Sequence, residues 1–468
     1  MKRIAIVGGG IAGLSAAFEL EQRRRQGDAL EYALYERAPR LGGVIRTERT
    51  DNGCLIEAGP DAFLTEKPWA AELCCELGLS DQLLGSNDAQ RRTCIVVRGR
   101  LVPIPEGLQF MVPTRIAPVL STPLFSFRTK LRMAREWFLS PRGPAGDESA
   151  ADFVARHFGR EVVERLADPL LAGVYGGTAE SLSARAVLPR FVAMEEKHGS
   201  LARAMSVRRT RTAPPNPAPP LFTTLRNGMQ QMVEALAVRL DPAALRLGVE
   251  VRRVVHQAGR WRVAGDSSGE DFDAVILAVP AYVAAALLRD SHTRLPGLLE
   301  QIPYSSSVTV ALGYDSAVPL PAGFGFLVPR TEGLRLLACT FVHNKFPHRA
   351  PEGWRLLRVF LGGRSDERAG ELTDAEIAAI VRDELRQLLC LETEPRFVRI
   401  YRWPRAMAQY EVGHLERLAE ITRLRKGLPG LFLAGNAYGG IGVPDCVREG
   451  RQAARDALVI PSERDGTQ

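Results

Sequence analysis

A glycine-rich turn near the start of the chain limits the folds that this sequence can adopt. The turn follows the apolar run 3–7 and opens a helical run, and it reads Gly8, Gly9, Gly10, Ile11, Ala12, Gly13. Gly8 permits a tight turn, Gly10 lets the backbone approach a pyrophosphate, and Gly13 packs helix on strand. Glu36 ends a second apolar run at the position, about 20 residues on, where a carboxylate commonly binds a ribose hydroxyl. A GxGxxG alone is weak evidence, but this context predicts dinucleotide binding.

A second glycine pair lies close behind Glu36. The run 40–47 contains Gly42, Gly43 and Val44 between two arginines, and Arg37 precedes it. The glycines allow close backbone approach, and the arginines offer charge to a phosphate. NAD enzymes do not need this element, and a surface turn with two arginines is the alternative interpretation. The chain here resembles the flavin amine-oxidase superfamily, and the resemblance implies FAD as the nucleotide.

Length and composition indicate a multidomain protein. A chain of 468 residues with 46% hydrophobic residues is expected to form roughly two or three domains with large cores. No apolar run reaches the ~18 residues of a membrane-spanning helix. Lys2-Arg3 before an apolar run mimics a signal peptide, but that run ends in the nucleotide turn, so we expect a cytoplasmic location.

The cysteines and histidines exclude several classes of site. Seven cysteines are scattered without a C-x-x-C, which suits a reducing compartment, and the seven histidines show no metal-ligand spacing. No hydrolase signature of the G-x-S-x-G kind is present. We therefore predict no metal site and no disulfide framework.

Positive charge is concentrated in residues 91–142. Ten side chains of this segment are Lys or Arg and two are acidic, while the whole chain carries a formal net charge of +7. The segment also contains many large apolar side chains, so anionic lipid, nucleic acid and an anionic substrate are candidate partners. No nucleic-acid-binding motif is present, and we predict no such partner. Peripheral membrane contact and a solvated basic face over an ordinary core remain alternatives.

Apolar runs far apart in the sequence are typical of one parallel sheet. The runs 273–280 and 431–436 are apolar except for Asp273 at the start of the first and Asn436 at the end of the second, as in strands buried on both faces. The second run leads through glycines into a final helix. Short β-rich runs in 305–361 indicate a second sheet, and 106–182 shows helical spacing broken by prolines. Other predicted features are a hairpin at 92–105, strands at 248–251 and 261–263, a helix at 373–389, a proline-rich loop at 213–220, and a solvated helix face at Glu195, Glu196 and His198.

Several longer stretches are more specific than the glycines. In chain order they are 57–63, 168–177, 323–329, 402–407, 434–436 and 444–446. Together they resemble the oxygen-dependent porphyrinogen oxidases of haem biosynthesis, and the resemblance runs from residue 1 to about 460. The stretches 112–115 and 409–414 are similar to the soluble bacterial branch that oxidises coproporphyrinogen III, with protoporphyrinogen IX as the alternative substrate.

The resemblance implies a fold that is α/β plus α+β, with three domains. A discontinuous Rossmann-like FAD domain is expected at 1–63, 222–290 and 405–462. A substrate domain with a mixed sheet is expected at 64–91, 183–221 and 291–404, and a helical domain that contacts membranes in some members is expected at 92–182. The implied partners are a porphyrinogen, O2 and a ferrochelatase, and the implied location is the cytoplasm or the inner face of the membrane.

The resemblance also assigns residues to the site. It implies non-covalent FAD and no acid–base pair, because the flavin performs the chemistry. A broad apolar pocket with cations at its mouth suits a macrocycle with carboxylate tails. The implied substrate contacts are Arg92 (or its neighbour Arg91), Lys67, Gly173, Leu327, Thr340 and Phe360. The implied FAD contacts are Gly8, Gly9, Gly10, Ile11, Ala12, Gly13, Glu36, Arg37, Gly42, Gly43, Val44, Gly59, Pro60, Asp61, Ala62, Val251, Trp403, Asn436, Ile441, Gly442 and Val443.

Two other functions remain open at this stage. Another flavin oxidoreductase of the superfamily, such as an amine oxidase or a carotenoid desaturase, would share the nucleotide motifs. A porphyrin carrier for the next haem enzyme would bind porphyrin with little turnover, but a carrier has no need of the flavin motifs.

Overall fold

A five-stranded parallel sheet forms the base of the nucleotide-binding part. The computed structural model describes residues 1–143, 146–211, 219–265 and 269–459. The sheet draws its strands from distant parts of the chain, in the spatial order Leu245–Leu247, Leu30–Glu36, Lys2–Val7, Ala274–Leu277, Leu431–Leu433. Every neighbouring pair is parallel. The carboxyl ends of the strands therefore share one edge, where ligands of open α/β sheets bind.

Both faces of this sheet are covered, which explains the unbroken apolar runs. Ile4 and Ile6 face one hydrophobic core, and Ala5 and Val7 face another. The helices that contribute to the first core are Ile11–Arg25, Trp69–Glu76, Gln230–Arg239 and Val443–Val459, and those that contribute to the second are Ala281–Leu287, Leu295–Glu300 and His414–Arg425. Gly450 has no room for a side chain because the carbonyl oxygen of Ala12 lies against it. The helices Ile11–Arg25 and Val443–Val459 are thus packed backbone to backbone.

Small sheets flank the parallel sheet. Their strands are Thr47–Arg49 with Leu55–Glu57, then Phe63–Leu64, Leu83–Gly85 and Phe222–Leu225, and finally Arg253–Gln257, Arg260–Ala264 and Gly269–Phe272. The strand predicted at 248–251 is wrong, because the ladder ends at Leu247. The N–H of Val249 instead donates to the carbonyl oxygen of Glu36 (3.0 Å), which keeps this stretch beside the nucleotide turn.

A mixed seven-stranded sheet forms the second layer, as predicted for 305–361. Its order is Phe397–Ala408, Tyr304–Asp315, Trp354–Gly362, Leu336–Phe341, Gly325–Leu327, Thr93–Val97, Arg100–Pro103. One face packs on the helix Asp374–Leu389, which begins with a capping box between Thr373 and Glu376. The short helix Val342–Lys345 joins two of the strands. The predicted hairpin at 92–105 is present and belongs to this sheet through parallel pairing with Gly325–Leu327.

A third core is built mainly from helices. These helices are Ile116–Ser121, Phe127–Glu136, Ala150–Phe158, Arg160–Val162, Asp168–Tyr175, Ala184–Val187, Pro189–His198 and Leu201–Arg211, with a two-stranded ladder of Leu108–Gln109 and Val112–Pro113. Leu188 and Leu201 are buried in this core, so the segments around them pack with these helices. The hairpin that follows residue 92 pairs with the seven-stranded sheet. Part of the proline-rich loop, 212–218, lies outside the described residues.

The solvated helix face predicted at Glu195, Glu196 and His198 is wrong for Glu195. Glu195 is buried and forms an ion pair with Arg156. The fully buried His157 lies between two carboxylates, with Nδ1 3.0 Å from Glu136 and Nε2 3.3 Å from Glu195. The positive charge of Arg156 compensates the burial of Glu195, which sequence spacing alone does not reveal.

Candidate active site

The nucleotide turn forms an open cradle at the carboxyl edge of the parallel sheet. Gly8 has φ +109°, and a side chain there would meet the carbonyl oxygen of Ala278, so only glycine suits this position. A side chain at Gly13 would meet the carbonyl oxygen of Gly8. At Gly10, by contrast, an added Cβ would have no heavy atom within 4 Å. The turn is therefore tight where helix and strand pack and open beside Gly10.

The helix Ile11–Arg25 begins at this open space with its N–H groups available. It has no acidic residue in its first turn and no side-chain cap. Such a helix start attracts a phosphate through its backbone N–H groups and its dipole. The geometry at Gly10 and the uncapped helix start fit the pyrophosphate of a dinucleotide.

The predicted carboxylate and the second glycine pair adjoin the turn. Glu36 accepts hydrogen bonds from the N–H groups of Gly9 (2.7 Å) and Ala38 (2.8 Å), which fix its carboxylate at the end of its strand. Gly42 donates to the carbonyl oxygen of Gly9 (2.8 Å), so the two glycine segments lie side by side. Gly43 is exposed next to Gly10. The other predicted contacts here are placed as follows: Arg37 and Val44 are exposed, and Val251 is half-buried beyond the stretch that binds Glu36.

The turn before the last helix lies at the same edge of the sheet. It follows the strand Leu431–Leu433, and its residues Asn436, Ile441 and Gly442 are half-buried while Val443 is buried. The hydroxyl of Tyr410 accepts from the N–H of Gly440 (3.0 Å) and donates to the carbonyl oxygen of Asn436 (2.8 Å). The N–H of Gly442 donates to Asp445 Oδ2 (3.2 Å), so this donor is already engaged within the chain.

The predicted loop 59–62 joins the nucleotide part to the seven-stranded sheet. Gly59 allows no side chain because the carbonyl oxygen of Val44 lies against it, and Pro60 and Ala62 are half-buried. The indole of Trp403 donates to the carbonyl oxygen of Ala58 (2.8 Å). Trp403 therefore lies against the start of this loop.

Behind this loop lies a buried charge cluster that the sequence did not reveal. Its members are Glu57, Asp61, Lys345, Arg349 and Arg358, three cations and two carboxylates. Lys345 Nζ is 3.1 Å from Asp61, Arg349 Nη2 is 3.2 Å from Glu57, and Arg358 donates to the carbonyl oxygen of Gly59. The paired residues are far apart in sequence, 284 residues for Lys345 with Asp61 and 292 for Arg349 with Glu57, so no local pattern indicates the cluster. Buried lysines and arginines are rare unless they are paired.

The charges of the cluster shift one another's pKa. Burial opposes ionisation of Asp61, but Lys345, Arg358 and Arg349 outweigh burial and hold its pKa well below its usual range. Burial raises the pKa of Glu57 despite Arg349, and burial lowers the pKa of Lys345 despite Asp61. Asp61 is thus the carboxylate that keeps its charge under acidic conditions.

The predicted substrate contacts share one face of the seven-stranded sheet. Leu327 lies opposite Ala338, which lies opposite Phe360, and Thr340 follows on the same side. The side chains of Leu327, Thr340 and Phe360 are half-buried, whereas the other face of the sheet is covered by a helix. Gly173 adjoins Leu327, since a Cβ there would lie 3.7 Å from Leu327 Cδ2. Arg358, on the same face, stacks on the Phe360 ring at 4.7 Å, so the apolar face meets the loop 59–62.

The two predicted cations occupy different places: Arg92 directly precedes the strand Thr93–Val97 of this sheet, and Lys67 lies beside the last turn of the nucleotide part. The carbonyl oxygen of Arg92 accepts from the N–H of Phe324 (2.7 Å), and its exposed side chain forms no ion pair with the described residues. Arg91 lies 3.8 Å from Asp88, which favours Arg92 as the cation available to a ligand. Lys67 is half-buried, and its Nζ lies 2.6 Å from Asp445 Oδ2 beside the last turn.

His414 next to the last turn makes the stability of the fold depend on pH. It is fully buried and stacks on Tyr410 with 4.2 Å between ring centroids, and burial, aided by Arg417, lowers its pKa to about 4. In the unfolded chain its pKa is ~6.5, so the unfolded state gains a proton first as pH falls. We expect His414 to remove up to ~3 kcal/mol of stability between pH 6.5 and 4.

Urea unfolding of the wild type and of His414→Phe at several pH values measures this effect. The aromatic replacement keeps the stacking but cannot be protonated, so its stability should fall less on acidification. An equal loss in both proteins would contradict the assignment.

No metal centre competes with the nucleotide interpretation in the described parts of the chain, where no group of three or more His, Cys, Asp or Glu side chains is arranged to hold an ion. The edge of the sheet combines an open glycine cradle, an uncapped helix start and a fixed carboxylate. The residues present therefore fit a dinucleotide such as FAD.

Comparison with known proteins assigns the class. The chain belongs to the family of flavin containing amine oxidoreductases, whose model matches residues 11–458. The predicted class, a flavin-dependent oxidoreductase, is thereby confirmed.

Individual relatives narrow the resemblance. A coproporphyrinogen III oxidase of Bacillus subtilis (strain 168) is 36% identical, with 98% of each chain covered. Another of Staphylococcus aureus is 30% identical, covering 98% of this chain and 99% of the relative. A crystal structure from Exiguobacterium sp. 255-15, named provisionally as a protoporphyrinogen oxidase, matches with TM-score 0.86 and 32% identity over 97% of this chain and 98% of the other. The resemblance to porphyrinogen oxidases is confirmed.

Proposed function

We propose that this protein binds FAD and oxidises coproporphyrinogen III to coproporphyrin III, with O2 as acceptor and H2O2 as second product. The observation that carries the proposal is the half-buried face of Leu327, Thr340 and Phe360. Arg358 connects this face to the loop 59–62 through the carbonyl oxygen of Gly59. A flat apolar macrocycle suits such a face. The names of the full-length relatives support the same substrate class.

In this proposal the chain positions the reactants and the cofactor supplies the chemistry. A bound flavin would supply the redox chemistry, in which six electrons and six protons leave the porphyrinogen in three two-electron steps and reduce three O2 to three H2O2. Phe360 and Leu327 contact the macrocycle, and the exposed guanidinium of Arg92 binds a carboxylate tail. Trp403 and the loop 59–62 border the flavin, and they exclude water from the reacting faces.

We further propose that FAD is held non-covalently. A covalent thioether requires a cysteine whose thiol ionises and reaches the flavin. Burial, aided by Asp445, raises the pKa of the Cys446 thiol to about 12, so this thiol beside the last turn stays protonated. Acid precipitation should therefore release the flavin into the supernatant, and flavin retained in the pellet would contradict the proposal.

The substrate is tested with the purified protein in air. Coproporphyrinogen III and protoporphyrinogen IX are added separately, and porphyrin fluorescence and H2O2 are followed against protein-free controls. We expect faster porphyrin formation with coproporphyrinogen III than with protoporphyrinogen IX. The opposite preference would assign the protein to the other branch, and no acceleration of either would refute porphyrinogen oxidation.

We also propose that the helical part docks peripherally on anionic lipid. The helix Phe127–Glu136 presents an apolar stripe outward, with Phe127 81% exposed and Leu131 57% exposed, and Phe138 beyond its end is 79% exposed. Exposed arginines, Arg128, Arg132 and Arg135, lie beside the stripe. A basic helix with an exposed apolar face is typical of interfacial binding. No helix in the described ranges has the length and apolar character needed to cross a bilayer.

Delivery of the product to a ferrochelatase remains a proposal.

Binding to vesicles tests the docking surface. We expect the wild type to bind vesicles of phosphatidylglycerol and phosphatidylcholine, and the Phe127→Ser/Phe138→Ser variant to bind at least ~10-fold more weakly, because two large apolar contacts are lost. Val238→Ser is the control, since Val238 is equally exposed (83%) on a different helix. Equal binding of wild type and double variant would refute the surface.

A further inference from the structure

A buried carboxylate lies directly beneath the turn that we assign to the flavin. Asp445 belongs to the first turn of the helix Val443–Val459, and its side chain is 3% exposed. Its Oδ2 accepts the N–H of Gly442 (3.2 Å), and Gly440 packs against the carboxylate. The dipole of the helix favours a negative charge at this position. That charge would, however, adjoin the bound flavin, which must gain electrons.

Lys67 supplies the closest positive charge to this carboxylate. It lies on a separate segment, just before the helix Trp69–Glu76, and its Nζ is 2.6 Å from Asp445 Oδ2. Arg448 is farther away, with Nη1 3.9 Å from Oδ1, and it also binds the carbonyl oxygen of Gly439 and the carboxylate of Glu449. Lys67 is therefore the main counter-ion of Asp445.

The Lys67–Asp445 pair differs from a simple substrate contact. A charge-assisted bond to a buried carboxylate engages Lys67, and moving the lysine to a substrate would leave that carboxylate unpaired, which is costly at a buried position. The negative charge also reaches the neighbouring aromatic residue, since burial and then Asp445 raise the pKa of Tyr175 to about 12. Without Lys67, the field of Asp445 at the turn would be uncompensated.

We propose that Lys67 is a positioning residue that neutralises Asp445, so that the turn 440–443 favours electron uptake by the bound flavin. The proposal rests on the proposed function only in that a flavin occupies this turn, and it requires no particular substrate. Loss of the lysine leaves the charge of Asp445 uncompensated and should make the flavin harder to reduce. Loss of both charges should restore the reduction potential of the flavin.

The reduction potential of the bound flavin, titrated against a redox dye without substrate, tests this proposal. For Lys67→Met we expect at least a tenfold smaller equilibrium constant for reduction, which is about 30 mV for a two-electron couple. Lys67→Met/Asp445→Asn should return to within ~3-fold of the wild type, and Lys67→Arg should resemble the wild type, because charge rather than side-chain shape decides the effect. Arg190→Met is the matched control, since it removes the exposed ion pair of Arg190 with Glu66, the neighbour of Lys67 (3.0 Å).

Each outcome decides the proposal. An unchanged potential in Lys67→Met, a potential that the double variant does not restore, or an equal drop in Arg190→Met would overturn it. Circular dichroism shows whether each variant is folded. If Lys67→Met unfolds, Asp445→Asn preserves the test, because it removes the negative charge at the turn and should make the flavin easier to reduce. A wild type without bound flavin would overturn the proposed function and this inference together, whereas failure to oxidise any porphyrinogen would overturn the function alone.

Discussion

Gly10→Val is expected to fold normally and to lose FAD. The backbone at Gly10 has φ −73° and ψ 179°, which any residue adopts, and an added Cβ has no heavy atom within 4 Å. The side chain would enter the open space at the start of the helix Ile11–Arg25, where we place the pyrophosphate. We expect at least a 100-fold weaker Kd for FAD, equivalent to about 2.7 kcal/mol, by fluorescence titration of the apoprotein.

The control is Gly297→Val, at a helical glycine that also has open space around it. Both variants should keep the circular dichroism spectrum and nearly the thermal midpoint of the wild-type apoprotein, and only Gly10→Val should lose the flavin. Unimpaired FAD binding by Gly10→Val would show that the space at Gly10 does not receive the cofactor. This variant separates cofactor binding from folding, which substitutions at Gly8 or Gly13 do not.

Asp61→Asn is expected to cause the largest loss of folding stability. The substitution leaves Lys345, Arg349 and Arg358 buried with Glu57 as their remaining carboxylate. Removing one partner of a buried charge group typically costs about 3–5 kcal/mol. Urea unfolding of the apoprotein measures the effect, and Asp290→Asn is the control, because Asp290 forms an exposed ion pair with Arg253 and such pairs contribute about 0–1 kcal/mol.

The same charge cluster predicts how acid changes the folding stability of the wild type and of Asp61→Asn. Because the pKa of Asp61 is depressed in the folded state, its stabilisation is complete above the unfolded pKa of ~3.9 and is lost as pH falls below it. Glu57 acts in the opposite direction, since its raised pKa makes its ionisation costly at neutral pH and acid removes that cost. Below pH ~4 the wild type should therefore lose more stability than Asp61→Asn. Parallel acid profiles would contradict a charged Asp61.

The sequence predicted the nucleotide turn well because its information is local. Gly8, Gly13 and Glu36 have roles that depend on strand, turn and helix within one short segment, and the structure shows the tight turn, the close packing and the fixed carboxylate. The unbroken apolar runs likewise identified buried parallel strands. Register in the second sheet was harder, but the resemblance selected Leu327, Thr340 and Phe360, which share one face.

Contacts between distant segments could not be predicted from the sequence. Arg358 lies in an ordinary strand sequence and Asp445 in an ordinary helix sequence. Their roles depend on contacts with distant residues, Arg358 with Gly59 and Asp445 with Lys67, each about 300 or more residues away. Such contacts form because the parallel sheet is assembled from separated strands. The strand expected at 248–251 was wrong for a related reason. Its residues are apolar enough for a ladder, but the chain there makes single hydrogen bonds past the end of Leu30–Glu36 instead.

Anaerobic mixing with coproporphyrinogen III tests the central claim most directly. The holoprotein is combined with the porphyrinogen under strict exclusion of O2, and the visible absorbance of oxidised flavin is followed together with porphyrin fluorescence. We predict that the flavin absorbance bleaches without O2, because the flavin takes up two of the six electrons that separate the porphyrinogen from the porphyrin. When air is admitted, the absorbance should return while porphyrin fluorescence rises and H2O2 forms. Flavin that stays oxidised in the presence of excess coproporphyrinogen III, while dithionite bleaches it normally, would contradict the account.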